Sequence, residues 1–350
     1  MEILLQEKSM KHKKNYLSIS ILCLIFLQLC LTFSCHLLPL EDHSEKESIS
    51  IISWNLQTFF DATTEGTEYS DFKGSKSTWS KEKYENRINY LCEFIQKHNA
   101  DFYAFTELEN ASILQDISNR LNNLSFLGSE YRFACFGKNP GGVFGCGVIS
   151  KYPLSDVKLH NIDYADFGKQ PELRPILEIT ASSKEKNFSL FVCHWKSKSG
   201  GEEETDIWRD FQESLLVSCL KKCKNKQVVI CGDFNRDLEE FYINKETNKI
   251  HFRNFNSSNS KQSKNQKIDL EYDENLGFIN PWISSTEKGS YNFNNEWNKI
   301  DHFFISENID LLDFSVISDF TNENGFPIKY SVRSGKGYSD HLPIRCVLTL

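Results

Sequence analysis

Residues 228–235 read VVICGDFN, an apolar run that ends on a glycine, a carboxylate and an amide. The first four residues predict a short, wholly apolar core strand. Asp233 and Asn235 follow two residues apart in an extended segment, so their side chains point the same way. Enzymes often place their reactive groups on a rigid support such as the end of a core strand. This stretch therefore predicts a central strand with functional groups at its carboxyl end.

Other apolar runs also carry polar residues at one end. These residues are acids, amides, imidazoles and one lysine, namely Asn55, Glu107, His194, Lys196, Asp301, Asp340 and His341. Taken singly, each has an ordinary explanation as a turn former, a solvated acid or a hydrogen-bonded histidine at the edge of the core. Taken together, they supply the oxygen ligands and imidazoles that metal-assisted cleavage of a phosphate ester requires. Strands that end on one side of a sandwich could bring them together.

The pattern of helices and strands favours mixed sheets covered by helices. Apolar residues recur at helical spacing over 81–98, 113–124 and 207–219, and several apolar strands are joined in pairs by short turns. This irregular alternation does not fit a doubly wound parallel sheet. Residues 242–266 are rich in Asn, Ser and Lys, and we expect an exposed loop or disorder there.

Residues 1–35 resemble an export signal. Three lysines precede an apolar run over 19–33, and Cys35 follows as in a bacterial lipoprotein cleavage site. Lipidation of Cys35 would tether the protein to a membrane, while simple secretion and an uncleaved anchor helix are the alternatives. We expect residues 36–47 to be a tether, residues 48–350 to be the catalytic domain, and the protein to be periplasmic, on the cell surface or secreted.

Charge and cysteine content exclude some classes of protein. The formal net charge is −8 and the leader is itself basic, so the remaining chain is still more acidic and unsuited to coating nucleic acid. An acidic enzyme can nevertheless reach phosphates through bound divalent cations. Eight of the eleven cysteines lie outside the leader, lack zinc-finger spacing and favour small buried side chains over a disulfide framework.

The short motifs at these strand ends, and their order along the chain, resemble those of the endonuclease/exonuclease/phosphatase superfamily, which includes pancreatic deoxyribonuclease and the abasic-site endonucleases. The resemblance covers residues 48–350 and rests on SWNLQ at 53–57, TELEN at 106–110, CGVISKYPL at 146–154, HWKS at 194–197, GDFN at 232–235, IDH at 300–302 and YSDHLP at 338–343. The longer form HWKSKSGG at 194–201 is similar to a bacterial, exported branch usually described as endonucleases.

The resemblance implies an α+β fold, a four-layer α/β/β/α sandwich in which two mixed β-sheets pack face to face with helices outside. It also implies a divalent-metal site at one end, for which we expect Mg²⁺, with Mn²⁺ or Ca²⁺ as alternatives. The expected roles are metal binding for Asn55, Glu107 and Asp340, catalysis for His194, Asp233, Asn235, Asp301 and His341, and contact with the substrate phosphate for Arg174 and Lys196.

The function that follows from the resemblance is metal-dependent hydrolysis of a phosphodiester by water, and we expect an endonuclease acting on DNA or RNA. A phospholipid hydrolase similar to sphingomyelinases, or an inositol-phosphate phosphohydrolase, is the first alternative. A catalytically inactive surface binding protein is the second. No exposed apolar stretch is evident outside the leader, which favours the nuclease. We expect a monomer with nucleic acid as its substrate, a membrane tether through Cys35 and no obligate protein partner.

Overall fold

Two mixed β-sheets dominate the computed structural model, and both lie within Ser48–Leu350, which forms one compact unit. The residues that the structure describes are 48–124, 130–162, 170–183, 186–255 and 270–350. The expected leader over 1–35 and the expected tether over 36–47 lie outside these described residues.

The first sheet has six strands in the order β15-β16-β1-β2-β4-β3. Their bounds are β1 Ser48–Phe59, β2 Phe102–Leu108, β3 Phe133–Gly137, β4 Gly145–Ser150, β15 Asp310–Val316 and β16 Ile344–Thr349. The central strands β1 and β2 are parallel, whereas the other neighbours are antiparallel. The carboxyl ends of β1 and β2 therefore lie at the same edge of the sheet.

The second sheet has eight strands in the order β5-β6-β7-β8-β14-β11-β10-β9. Their bounds are β5 Leu154–His160, β6 Ile176–Ser183, β7 Lys186–His194, β8 Val228–Asp233, β9 Tyr242–Asn244, β10 Lys249–Phe255, β11 Leu270–Ile279 and β14 Asp301–Ser306. Here β7 and β8 are the parallel pair. A separate two-stranded hairpin is formed by β12 Tyr291–Phe293 and β13 Glu296–Asn298.

Helices cover the outer faces of the two sheets. Helices α1 (Lys81–His98) and α2 (Ala111–Leu124) share an apolar core with the first sheet, and α3 (Glu202–Lys222) packs against the second. A second apolar core lies between the sheets, where for example Phe102 of β2 meets the Phe188 ring of β7. The expected four-layer sandwich is therefore confirmed.

The prediction of an exposed loop or disorder over 242–266 was wrong for residues 242–255, and 256–266 lie outside the described residues. Strands β9 and β10 occupy this region and extend the second sheet beyond β11. Ile250 and Phe252 alternate with polar residues and are fully buried. The polar composition hid this strand, because half of its residues face away from the core.

The described cysteines are all free thiols. Six of the eight are buried and two are partly buried, in agreement with the expectation that they serve as small core side chains. Burial raises the pKa of the Cys146 and Cys231 thiols to about 12, which leaves them protonated and unreactive. Among the described residues, no helix combines the length and the apolar character needed to cross a membrane.

Candidate active site

The register of the second sheet brings three of the predicted residues together. Strands β7 and β8 are parallel, and His194 is the register partner of Asp233. Strand β14 runs antiparallel to β8 and begins at Asp301, which is also opposite Asp233. All three side chains are buried, with at most 2% of their surface exposed. Strand pairing alone therefore gathers two acids and an imidazole at one edge.

The first sheet contributes an amide and an acid to the same place. Asn55 pairs with Thr106 across the parallel strands, and Glu107 follows. The Asn55 Nδ2 atom donates to Glu107 Oε1 at 3.1 Å and to Asp233 Oδ2 at 3.0 Å, which connects the two sheets. Its Oδ1 atom accepts the backbone N–H of Gln57 at 2.9 Å. The Asn55 amide therefore holds two carboxylates side by side.

A glycine allows the parallel strands to end so close together. Gly232 has φ of +132°, and a Cβ atom there would lie 1.9 Å from the carbonyl oxygen of Cys193. The chain then turns, because Asp233 Oδ1 accepts the backbone N–H of Asn235 at 2.9 Å and Asn235 has φ of 49°. The Asn235 Nδ2 atom donates to the carbonyl of Trp195 at 3.3 Å. Asp233 and Asn235 thus lie at one edge of the site, although Asn235 is in a left-handed turn and not in the extended segment that the prediction from their spacing assumed.

His341 and Asp301 form a hydrogen-bonded pair. Nδ1 of His341 lies 2.8 Å from Asp301 Oδ2, and its Nε2 lies 3.9 Å from Asp233 Oδ2. Ser290 Oγ also donates to Asp301 Oδ2, at 2.6 Å, and Trp54 Nε1 donates to the His341 carbonyl at 2.9 Å. The imidazole is therefore fixed through Nδ1, with Nε2 directed toward the acidic cluster.

The two site histidines differ in charge. Burial by itself lowers the pKa of His341, but Asp301, Asp233 and Asp340 outweigh it and raise that pKa to about 10. Burial together with the cationic Arg174 holds the pKa of His194 well below its usual range. At neutral pH His341 is therefore cationic and His194 is neutral.

Burial also changes the acids. It raises the pKa of Asp233 to about 7, and Asp301 adds to this effect while His341 opposes it. Burial raises the pKa of Asp340 as well, with the nearby Glu107 contributing. Burial disfavours the charged form of each carboxyl, and repulsion between neighbouring carboxylates adds to the rise in pKa.

A divalent cation fits this cluster of acids. Glu107 Oε1 and Asp233 Oδ2 lie 3.8 and 3.6 Å from His194 Nε2, and Asp301 Oδ1 is buried without a hydrogen-bond partner. Ligand atoms of Asp233, Asp301 and His341 also lie within 4.8 Å of one another. Within that group, Asp301 Oδ2 and His341 Nδ1 already share a 2.8 Å hydrogen bond and the imidazole is cationic, so the carboxylates on the Glu107 side are the better ligands.

A left-handed bend shapes the Glu107 side of the site. Gln57, Thr58 and Glu107 have φ values of 48°, 48° and 62°, which non-glycine residues rarely adopt. The bend directs the backbone N–H of Thr58 to Glu107 Oε2 at 2.6 Å. It is clamped by Arg87, whose guanidinium donates to the carbonyls of Leu56, Gln57 and Thr58 at 2.6 to 3.0 Å.

Sequence reasoning missed Arg87, although it left a signal. Arg87 lies three residues after Tyr84 and four before Leu91, on the apolar face of α1. A charged residue on a buried helix face needs partners, so it marks a specific contact. Three other site residues were also missed: Ser290, Tyr291, whose ring lies 4.6 Å from that of His341, and Ser339, whose Oγ donates to the Asn55 carbonyl at 2.6 Å. Single serines and tyrosines in loops carry no comparable signal.

Arg174 and Lys196 lie at the rim of the cluster. Arg174 Nη1 is 3.4 Å from the Trp195 carbonyl, which also accepts from Asn235. Lys196 Nζ donates to the carbonyls of Ser197 and Ser199 at 3.2 and 3.4 Å. Burial, Arg174 and Arg209 lower the pKa of Lys196. The structure thus brings all ten predicted site residues to one end of the sandwich.

Comparison with known families adds to this geometry. A profile described as the "Endonuclease/Exonuclease/phosphatase family" matches residues 50–349. The chain belongs to the endonuclease/exonuclease/phosphatase family. Membership of this family supports a metal-dependent phosphoester hydrolase in general terms. No curated protein sequence matches the chain at a significant level.

Solved structures of other family members share the fold. D. rerio TDP2 humanized by 14 mutations is 15% identical, with a TM-score of 0.52 and coverage of 87% of this chain and 99% of that one. A family protein from Bacteroides thetaiotaomicron is 16% identical (TM-score 0.51; coverage 86% and 97%). A mannosyl-6-phosphatase from the same organism is 15% identical (TM-score 0.51; coverage 86% and 100%). At these identities the likeness concerns the fold alone.

Proposed function

We propose that this chain is a divalent-metal-dependent phosphodiesterase that cleaves nucleic acid, acting as an endonuclease on DNA or RNA. The observation that carries the proposal is the buried arrangement in which the His341–Asp301 pair faces Asp233 across 3.9 Å. A carboxyl whose pKa is about 7 provides the base that attack of water on phosphorus needs, and the cationic imidazole beside it can stabilise the charge that grows on the phosphate.

In the proposed reaction, Asp233 accepts a proton from the attacking water, and the amide of Asn235 orients that water. The oxygen of the water forms a bond to phosphorus while the bond from phosphorus to the leaving sugar oxygen breaks. The leaving sugar oxygen then takes a proton from the solvent. The protonated His341 donates from Nε2 to a phosphate oxygen as negative charge grows there, and Asp301 holds the ring through Nδ1.

Three further residues would bind the phosphate. The neutral His194 can donate a hydrogen bond from Nε2 without adding a charge to the cluster. Arg174 and Lys196 lie at the rim, where a negatively charged strand would approach. Their positive charge would offset the repulsion between the acidic protein and a polyanionic substrate.

We propose Mg²⁺ as the ion, with Mn²⁺ or Ca²⁺ as alternatives. Glu107 and Asp340 would hold it. Asn55, the third expected ligand, would instead fix the Glu107 carboxylate, because its Oδ1 atom already accepts the Gln57 N–H. When bound, the cation supplies positive charge that stabilises the transition state and increases the acidity of water. Hard oxygen ligands of this kind suit Mg²⁺ better than softer metals.

A panel of substrates tests the proposal. Purified protein is incubated with supercoiled plasmid, single-stranded RNA, sphingomyelin vesicles and inositol phosphates, with Mg²⁺ or with EDTA. We expect cleavage of nucleic acid that EDTA abolishes, Mg²⁺ restores and His341→Gln removes. Turnover of lipid or small phosphates alone would replace the nuclease with the first alternative. If no phosphate ester is turned over in a metal-dependent way, the second alternative, a catalytically inactive binding protein, would replace the nuclease.

We also propose that the protein is exported as a monomer and tethered through a lipid on Cys35, because a basic and then apolar leader precedes this cysteine. Mass spectrometry of the mature N-terminus tests the proposal. A diacylglyceryl mass on Cys35, absent after Cys35→Ala, is the expected result. An unmodified N-terminus beyond residue 35 would indicate secretion instead.

A further inference from the structure

We propose that the β12–β13 hairpin is a base-stacking arm, with Phe293 as its outer platform, and that it makes the enzyme prefer single-stranded over duplex nucleic acid. This inference rests on the proposed function and deepens it, since it names the form of the substrate.

The hairpin is short and well defined. Asn294 and Asn295 connect its strands and have φ values of 52° and 67°, as in a two-residue type I′ turn. Tyr291 and Phe293 are two residues apart on β12, so their rings lie on the same face. The ring planes differ by 8° and the centroids are 6.5 Å apart. Together they form one extended aromatic surface.

The arm is attached directly to the catalytic pair. Ser290, just before β12, donates from Oγ to Asp301 Oδ2 at 2.6 Å and accepts at its carbonyl the N–H of Leu342 at 2.7 Å. Tyr291 forms a β-bridge with His341, and their rings lie 4.6 Å apart. The aromatic surface therefore has a fixed position relative to the imidazole that we assign to the scissile phosphate.

Exposure increases outward along this surface. His341 is buried, Tyr291 is half-buried and Phe293 is 58% exposed. The opposite face of the hairpin is already covered, because Trp297 packs against Phe326 with ring centroids 6.0 Å apart. Phe293 is thus the exposed part of this aromatic surface, and the Tyr291 ring connects it to His341.

The chemistry of the arm favours a nucleobase over a lipid. A hairpin that enters a bilayer needs an apolar tip, whereas this tip is Asn294-Asn295 and its backbone polar groups need water. Amide side chains at the tip can hydrogen-bond to base edges. Glu296 is the cross-strand partner of Phe293, so the arm offers stacking and not a positive charge.

Stacking on Phe293 requires a base whose face is free. In a duplex each base face is covered by the next base pair, whereas in a single strand a base can turn onto an aromatic side chain at little cost. A base beside the scissile phosphate that stacks on Phe293 would hold the strand in register with His341. Single-stranded substrate should therefore be cleaved more efficiently than the same sequence in a duplex.

The test compares kcat/KM for one end-labelled DNA oligonucleotide as a single strand and as a duplex. We expect wild type to prefer the single strand and Phe293→Ala to lose about tenfold on it, with little change on the duplex. Phe293→Trp should retain activity because it keeps a stacking ring. Leu312→Ala is the matched control, since Leu312 is 57% exposed on the edge strand β15 and should have no effect.

A binding measurement gives a second readout without cleavage. In EDTA, the indole fluorescence of Phe293→Trp should be quenched by the single strand more than by a strand in which abasic linkers replace the bases. Equal kcat/KM for wild type and Phe293→Ala on a single strand would contradict the proposed stacking arm without contradicting the proposed nuclease activity. Loss of vesicle binding in Phe293→Ala, with nucleic-acid cleavage unchanged, would reassign the arm to lipid. Wild type that hydrolyses other phosphate esters but no nucleic acid would overturn both proposals.

Discussion

The two halves of the candidate site are held in place by different means. One half, which we call the dyad half, comprises Asp233, Asp301 and His341, and is positioned by strand register and by hydrogen bonds of 2.6 to 2.8 Å. The other, the bend half, comprises Asn55 and Glu107 and depends on a left-handed bend at the end of β1. A single buried arginine clamps that bend.

Because the two halves are supported differently, substitutions in them should impair different properties of the enzyme. In the dyad half, Asp233 and Asp301 lie on regular strands whose backbone hydrogen bonds maintain their geometry, and His341 is held before β16 by an isolated bridge to Tyr291 and by its hydrogen bond to Asp301. At the bend half the β1–β2 register is interrupted between Asn55 and Phe59, so its geometry depends on side-chain contacts to backbone carbonyls. Substitutions in the dyad half should therefore affect the chemical step, and those around the bend should affect metal binding.

The largest expected effect is the loss of His341. His341→Gln should lower kcat by about 100- to 10,000-fold, because it removes the protonated imidazole from the phosphate. Steady-state kinetics on a nucleic-acid substrate measure this.

His302 is the matched control for that substitution. His302 follows Asp301 in the sequence and is also buried. It hydrogen-bonds the Arg236 carbonyl and the Asn280 side chain, and burial lowers its pKa to about 4. His302→Gln should lower stability by about 1 to 3 kcal/mol and leave the pH profile of kcat in place. Equal kinetic effects of the two substitutions would contradict the role of His341.

The next largest effect is expected at Gly232, beneath Asp233. Gly232→Ala should lower the free energy of unfolding by about 3 kcal/mol, because its Cβ atom would meet the Cys193 carbonyl at 1.9 Å. Gly66 also has positive φ, of +102°, but open space around it, so Gly66→Ala should cost only about 1 kcal/mol. Chemical denaturation of both variants measures the difference, and equal costs would show that φ alone matters.

On the bend half, Arg87→Met should weaken metal binding by about 10- to 100-fold. It leaves the Leu56, Gln57 and Thr58 carbonyls without their donor, so the bend relaxes and Glu107 loses its position. Titration calorimetry with Mg²⁺ and the shift of melting temperature with Mg²⁺ measure this. Arg87→Lys should bind Mg²⁺ more tightly than Arg87→Met does. An unchanged Mg²⁺ affinity in Arg87→Met would show that Arg87 does not maintain the metal-binding geometry.

The smallest effect is a pH dependence of stability at Glu109, two residues after Glu107 of the bend half. Burial, with repulsion from Asp61 and Glu68, raises the pKa of Glu109 to about 7, although an N–H from Asp61 opposes this. The folded state then holds the Glu109 proton more tightly than the unfolded state does. This contribution is fully present below about pH 4.5 and is lost as the pH rises toward 7.

Glu109→Gln should therefore flatten the fall in stability between about pH 4.5 and 7, by an amount on the order of 2 kcal/mol. Unfolding curves at several pH values measure the slope. Glu246→Gln, at an exposed position, should leave the slope unchanged. An identical slope in wild type and Glu109→Gln would contradict the raised pKa.

Sequence alone predicted the dyad half better than the bend half. Helix α1 over 81–98 followed from its apolar spacing, and the order of motifs implied the correct sandwich. The convergence of His194, Asp233 and Asp301 follows from register, because parallel strands end together. Short motifs at strand ends carry this information locally.

The remainder could not be predicted because it depends on contacts between distant segments. The Arg87 clamp joins α1 to the end of β1, and neither segment alone shows the bend. Strand β10 was hidden by its polar composition, and the hairpin that carries Phe293 is only eight residues long, too short for a periodic signal. Such features need the tertiary structure.

The most direct test of the account is anomalous diffraction from crystals soaked with Mn²⁺. We expect an anomalous peak within ligand distance, about 2.2 Å, of the carboxylates of Glu107 and Asp340, with the His341–Asp301 hydrogen bond intact. A peak between Asp301 and His341 that breaks this hydrogen bond, or no peak at the strand ends, would contradict it.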